Sequence, residues 1–316
     1  MNSFSFSNKF ISPNQRIYLR ILAEKEIELW IKREDEIHPE VSGNKFRKLK
    51  HNILQAKKEN QNTILSFGGA FSNHILATAS AAKMEGLNSI GVIRGEELGE
   101  DLKATLSSNP TLSTAYSYGM KFVFISREDY RKKSEPEMIS KLNLELGDFY
   151  LVPEGGTNEL AVKGCEEILT KDDEQFDYIC SCVGTGGTLA GLINSSSSNQ
   201  KVLGYPALKG DFLKEEIEKF VSSKNNWELI TDYNFGGYAK HPIELIQFIN
   251  EFKKQTDIAL DPIYTGKMMY GILDQVQNDK FSKGSKILVI HTGGLQGIKG
   301  INQQLEKKKK TYRVDI

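Results

Sequence analysis

The segment Gly184-Thr185-Gly186-Gly187-Thr188 follows the apolar run Tyr178 to Val183 and leads into Leu189 to Ile193. That order reads as a strand, a glycine-rich turn and the start of a helix. Such a turn lets several backbone N–H groups converge on one anion, and the helix macrodipole adds about 0.3 to 1 kcal/mol. The segment is a candidate phosphate cradle. Two nucleotide readings fit it poorly, because no Gly-Lys-Ser/Thr end is present for a triphosphate and Leu189 stands where a dinucleotide fingerprint needs its third glycine. Taken alone, the loop is equally compatible with a tight turn that needs only positive φ.

A second segment, Ser42-Gly43-Asn44-Lys45-Phe46-Arg47-Lys48, puts Lys45 at the start of a helix whose apolar stripe is Phe46, Leu49 and Ile53. Orphan N–H groups at a helix N-terminus disfavour a cation, and burial would depress the amine further, as Schiff-base chemistry requires. Read without context, a lysine in a basic helical turn is a surface residue. A third segment, Ser66 to His74, closes one strand and opens a helix, with Ser72 and Asn73 as natural N-caps. Gly68 and Gly69 just before the cap leave that terminus open to a ligand carboxylate.

The elements that must position these segments are legible from period and turn signals. Strands are expected at Ile27–Lys32, Thr63–Ser66, Ser89–Ile93, Lys121–Ile125, Phe149–Val152, Tyr178–Cys182, Lys201–Tyr205 and Lys286–Ile290. Several are apolar on both faces, as buried parallel strands are. Between them, Phe46, Leu49 and Ile53, and Ile75, Ala79 and Ala82 before Gly86, recur at helical spacing as crossover helices. Strand and helix alternate, so the fold class is α/β.

Composition narrows the function classes. The 316 residues hold 41 Lys plus Arg against 41 Asp plus Glu, which removes the basic field a nucleic-acid binder uses on phosphates. Met1 to Ile11 contain no continuous apolar block, so neither a signal peptide nor a membrane span is expected, and the protein is read as soluble and cytoplasmic. Cys165, Cys180 and Cys182 lack metal-ligand or redox spacing and read as free thiols, with no metal site. Ser195 to Ser198 reads as a turn and Lys307 to Lys310 as a solvated tail.

Together with Gly43 to Lys48, Gly68 to His74 and Gly184 to Thr188, the segments Asp261-Pro262-Ile263-Tyr264-Thr265-Gly266-Lys267 and Ile290-His291-Thr292-Gly293-Gly294 carry a wider resemblance. From Lys32-Arg33-Glu34-Asp35 to Gly294, the order and spacing resemble the family of D-cysteine desulfhydrases and 1-aminocyclopropane-1-carboxylate (ACC) deaminases. The resemblance implies a pyridoxal-phosphate enzyme of fold type II, with two open, twisted, mostly parallel sheets flanked by helices. It also implies a large cofactor-binding domain of residues 1–47 and 154–316, a small inserted domain of residues 48–153, a cleft between them for the cofactor, and a homodimer.

By the same resemblance, Lys45 matches the lysine that holds the cofactor covalently, and Lys48 with Gly184, Thr185, Gly186, Gly187 and Thr188 matches the groups around its phosphate. Asn73 matches the partner of the cofactor's phenolic oxygen. Ser72, Asn73 and His74 match the loop that receives the substrate carboxylate, and Ser72 is a candidate for acting on the substrate itself. Tyr238 and Tyr264 match two active-site tyrosines. Thr265 and Thr292 match positions by the pyridine ring where ACC deaminases typically carry Glu and Leu.

A hydroxyl in place of a carboxylate there changes how firmly the ring nitrogen is protonated, and so tunes the electron sink. Threonine at both positions points to the desulfhydrase branch: a small amino-acid substrate, D-cysteine ahead of ACC. Another fold type II activity and a non-catalytic cofactor binder are the rival readings. Ala70-Phe71 and Leu295-Gln296-Gly297 depart from the usual pattern, which leaves the pocket shape open. His291, at the end of a buried run, reads as structural, and Cys182 as a small buried hydrophobe.

Overall fold

The computed structural model describes every residue except 1–4, 9, 211, 223, 239 and 316, so the segment Met1 to Ile11 lies partly outside the described residues. Among the described residues, ten strands form two sheets. β1 (Asn14–Ile17), β2 (Glu28–Lys32), β7 (Tyr178–Val183), β8 (Lys201–Pro206), β9 (Trp227–Leu229) and β10 (Lys286–Ile290) make six strands in the order β1-β2-β10-β7-β8-β9. β3 (Thr63–Gly69), β4 (Asn88–Arg94), β5 (Lys121–Ile125) and β6 (Tyr150–Val152) make four, in the order β5-β4-β3-β6. All pairings are parallel except β1 with β2, where Asn14 faces Lys32 and Ile17 faces Leu29.

Each expected strand is present, with bounds shifted by up to a few residues. β1 and β9 were not legible. β1 buries only Ile17 of its four residues, and β9 is a three-residue edge with no fully buried side chain, so neither carries an apolar period.

Alternation sorts the six-stranded sheet into two cores. Leu29, Ile31, Cys180, Cys182, Ile287 and Val289 face one, and Ile179, Val183, Val202, Leu288 and Ile290 face the other. Helices cover both faces, the requirement of a parallel sheet. On the four-stranded sheet, Leu65, Phe67, Ile90 and Val92 share one core, while Ile64 and Ile93 pack toward the helix Asn73–Met84 side.

Three helices fix the lysine segment. The helix Asn44–Lys58 crosses Glu159–Glu166 so closely that a Cβ at Gly164 would lie 2.0 Å from the Arg47 carbonyl oxygen. Glu159–Glu166 in turn meets Gly187–Ser195, where a Cβ at Gly191 would lie 2.5 Å from Cys165 Cβ. The buried pair Arg47 and Glu34, 2.8 Å apart, ties the lysine helix to the turn after β2, and the Ser12 hydroxyl donates to the same carboxylate at 2.6 Å. Lys32 and Asp173 form a second buried pair at 2.9 Å. Among the described residues, no helix is long and apolar enough to cross a membrane.

Candidate active site

Gly43 precedes the lysine helix at φ 61°, and a Cβ there would lie 1.9 Å from the Thr292 carbonyl oxygen. Only glycine permits this approach of the turn to the end of β10. Asn44 N–H donates to that carbonyl at 3.3 Å, and Asn44 Nδ2 donates to Thr188 Oγ1 at 2.9 Å. One residue thus joins the lysine helix, the β10 end and the glycine loop. Lys45 follows, its Nζ donating to Asn44 Oδ1 at 3.3 Å, and burial pushes its amine below the ordinary lysine value.

Gly186, left-handed at φ 85°, caps the helix Gly187–Ser195 without a side-chain hydrogen bond, so the first N–H groups of that helix stay open for an anion. Lys48 Nζ reaches the same place. It donates to Gly155 O at 3.0 Å, Thr157 Oγ1 at 2.9 Å and Thr185 Oγ1 at 3.2 Å. Burial and then the neighbouring Lys45 lower Lys48 to about 7. A buried cation held only by neutral oxygens, beside an open helix N-terminus and two hydroxyls, fits a phosphate dianion.

Thr157 and the Gly155-Gly156 turn were missed from sequence. A signal was available, since the strand β6, two glycines and the N-cap Asn158 repeat the pattern of β3, Gly68-Gly69 and the N-cap Ser72.

Ser72 caps the helix Asn73–Met84, accepting from Ile75 N–H at 3.4 Å, which leaves the N–H groups of Asn73 and His74 without intrahelical partners. Asn73 Nδ2 donates to Gly294 O at 3.4 Å, and its buried Oδ1 has no partner. The loop is thereby tethered to the turn after β10. The His74 ring is buried, with Nε2 at 2.8 Å from Ser66 Oγ. Burial, then Lys45 and Lys48, hold the imidazole well below its ordinary value, so it is neutral. The His74 backbone N–H, by contrast, has no intrahelical partner.

Tyr264 lies against the glycine loop, where a Cβ at Gly184 would be 3.3 Å from its ring. Its ring meets that of Tyr238 edge-on at 6.0 Å. Burial, then Tyr238, raise the Tyr264 phenol well above its ordinary value. Tyr238 is 47% exposed as a residue, and its phenol is raised by desolvation of the end that faces Tyr264. Thr292 Oγ1 is 3.0 Å from Cys182 Sγ, close to the lysine turn.

Thr265 has a job not seen in the sequence. It is fully buried, its hydroxyl donates to Asp261 Oδ1 at 2.8 Å and accepts from Asp261 N–H at 2.9 Å. Asp261 also accepts from the N–H groups of Ile263, Tyr264 and Thr265 at 2.8 to 2.9 Å, so it caps the helix Thr265–Gln277 and sets Tyr264. Asp261 was unassigned from sequence because its role depends on the turn.

His291 uses both ring nitrogens internally, on Ala259 O at 2.8 Å and Gly293 N–H at 3.2 Å. Cys182 is buried and free, with its thiol pushed up to about 12 by burial, so it is no nucleophile at neutral pH.

A depressed amine that can condense with a carbonyl, placed beside a cradle for a dianion, calls for one molecule bearing both groups, and in this two-sheet fold that is pyridoxal phosphate in a fold type II enzyme. The family model described as pyridoxal-phosphate dependent enzyme matches residues 9–293. The chain belongs to that family, within its ACC deaminase and D-cysteine desulfhydrase branch. It is 34% identical to the bifunctional, mitochondrial D-cysteine desulfhydrase/ACC deaminase of Arabidopsis thaliana, over 86% of this chain and 73% of the relative. It is 27% identical to an ACC deaminase of Bradyrhizobium diazoefficiens, over 87% and 89% of the two chains. A crystal structure of an ACC deaminase homologue superimposes with a TM-score of 0.79 at 30% identity, covering 94% of each chain.

Proposed function

We propose that this enzyme catalyses β-elimination of D-cysteine, which, with consumption of one water, gives pyruvate, sulfide and ammonia. The observation that carries the reading is the pair Thr265 and Thr292: the first is locked onto Asp261 and the second lies beside Cys182, so neither position offers a free carboxylate. Loss of a thiolate asks less of the electron sink than opening a cyclopropane ring. Ring opening of ACC to 2-oxobutanoate and ammonia is the second reading, favoured by the names of the relatives.

Pyridoxal phosphate, when bound, supplies the sink that lets the α-proton leave. Lys45 would hold it covalently, Lys48 and Gly184 to Thr188 its phosphate, Asn73 its phenolic oxygen, and Thr265 and Thr292 would border its ring. During turnover Lys45 Nζ, favoured as a free amine by burial, removes the proton from the substrate's α-carbon. Ser72 and the open N–H groups of Asn73 and His74 receive the substrate carboxylate. Tyr264, kept protonated, or Tyr238 beside it donates a proton to the departing sulfur. The division into residues 1–47 with 154–316 and an inserted 48–153 is part of the proposal, supported by β3 to β6 falling within the insert. Assembly as a homodimer is proposed from the resemblance alone.

The test gives cofactor-loaded enzyme D-cysteine and ACC separately and identifies the keto acid. Pyruvate with stoichiometric sulfide is expected from D-cysteine. Efficient release of 2-oxobutanoate from ACC, with D-cysteine left intact, would establish the second reading instead.

A further inference from the structure

Tyr238 sits at the end of an unusual turn. Phe235, Gly236 and Gly237 are left-handed in succession, at φ 53°, 92° and 112°. A Cβ at Gly236 or Gly237 would meet nothing nearer than 3.8 Å, so glycine is demanded there by the backbone path and not by crowding. A path of this kind persists only when its surroundings over-determine it. Beyond the turn's own bonds, Gly237 N–H to Asn234 O at 3.0 Å and Gly236 N–H to Asn234 Oδ1 at 2.9 Å, the surroundings are one stripe of the helix Thr265–Gln277.

Lys267, 2% exposed, donates to Asn234 O at 2.9 Å and to Gly237 O at 2.8 Å. One turn on, Tyr270 receives the Phe235 ring edge-on at 5.0 Å, and at Gly271 a Cβ would lie 2.7 Å from the Tyr233 ring. Another turn on, Asp274 accepts from the Tyr233 hydroxyl at 2.7 Å. These positions share one helix face. The same helix carries Tyr264 at its N-cap.

We propose that Lys267 is a positioning residue, whose buried ammonium gathers two carbonyls of the Asn234–Gly237 turn and so fixes Tyr238 against Tyr264. An ammonium has three donors and no acceptor, which suits it to hold carbonyls that a left-handed run turns inward. Arg would keep donors for these carbonyls, whereas Met would leave Asn234 O with its Gly237 N–H bond at 3.0 Å and Gly237 O with its Lys240 N–H bond at 3.2 Å, each short of the charged second donor that Lys267 supplies. Lys267 touches neither Tyr238 nor the glycine loop through its charged end, so its effect is exerted through the turn. The proposal rests on the reading of Tyr238 as an active-site phenol, and the test separates the two.

Holoenzyme carrying Lys267→Met, Tyr238→Phe, or both is compared with wild type by hydrogen exchange and by kinetics on D-cysteine and ACC. Lys267→Met is expected to speed amide exchange in the Asn234–Tyr238 stretch about tenfold or more, with the helix from Met268 onward unchanged. It is expected to lower kcat/KM about tenfold, while the double variant is no slower than Tyr238→Phe alone. Lys267→Arg, which keeps the donors, restores most of the exchange protection. Unchanged exchange, or losses that add in the double variant, would overturn the proposal. Full activity of Tyr238→Phe would sink the catalytic reading of Tyr238, and exchange alone would then decide whether Lys267 holds the turn. If Lys267→Met does not fold, Lys267→Gln takes its place, with a smaller but measurable loss of exchange protection expected because its amide still donates, and unchanged exchange again overturning the proposal.

Discussion

Lys48 stands one helical turn beyond Lys45, and its ammonium is met by three neutral oxygens, those of Gly155, Thr157 and Thr185, at 2.9 to 3.2 Å. The two amines share a face of the helix Asn44–Lys58, so each charge opposes the other. The arrangement is unfavourable until an anion joins it.

Lys48→Met should therefore weaken pyridoxal phosphate binding about 10- to 100-fold, the loss expected for a charge-assisted contact. Titration of cofactor-free protein followed by visible absorbance measures this directly. Unaltered affinity would remove Lys48 from the phosphate site.

Stability of the cofactor-free protein carries the same signature. The folded value for Lys48 is about 7 against an ordinary 10.5, so between these limits the unfolded chain holds a proton that the folded chain has released. The penalty is complete below about pH 7 and fades as pH rises toward about 10. Wild type should gain Tm relative to Lys48→Met across that window, and a pH-independent difference would contradict it.

Lys45→Ala should retain no cofactor mass after hydride reduction and denaturation, and should turn over neither substrate. Mass spectrometry of the reduced protein reads the first outcome. Because the Lys45 amine is buried with Asn44 Oδ1 as its acceptor, the cofactor-free variant should be no less stable than wild type.

Thr265→Glu and Thr292→Leu should together raise ACC turnover relative to D-cysteine turnover. They should differ in stability. A carboxylate at position 265 would be fully buried against Asp261 and would remove its hydroxyl bond, at a cost of about 2 kcal/mol or more. Urea unfolding should show the loss for Thr265→Glu and little for Thr292→Leu.

Gly43→Ala should be the most damaging methyl group in the chain. Its Cβ would overlap the Thr292 carbonyl at 1.9 Å, at a residue with φ 61°, so a loss of about 3 kcal/mol or failure to fold is expected. Wild-type Tm would refute the close approach.

Much of this site is readable in the chain because its chemistry rides on strand ends. The apolar run Tyr178 to Val183, the glycine-rich turn Gly184 to Gly186 and a helix start announce a loop at the end of a strand, and Ser72 announces a cap. Asp261 and Lys267 were silent for a different reason. Asp261 acts on backbone N–H groups and Lys267 on backbone carbonyls, and which of those groups need partners is decided only when a turn and a helix meet. Thr157 belongs to a third class, legible in principle from the glycines before it. β1 and β9 were hidden because edge strands, exposed on one side, need little apolar patterning.

β10 lies between β2 and β7, and the turn after it abuts Gly43. On the ribosome it is the last of the ten strands to appear, so β2 and β7 must leave the exit tunnel with their inner edges bare. Until Lys286–Ile290 slots between them, Gly43 and the Asn44 N–H lack the Thr292 carbonyl against which the lysine turn closes. Cofactor capture is consequently an event of the finished polypeptide, and a nascent chain stalled before β10 would present two sticky edges to chaperones and no competence to bind.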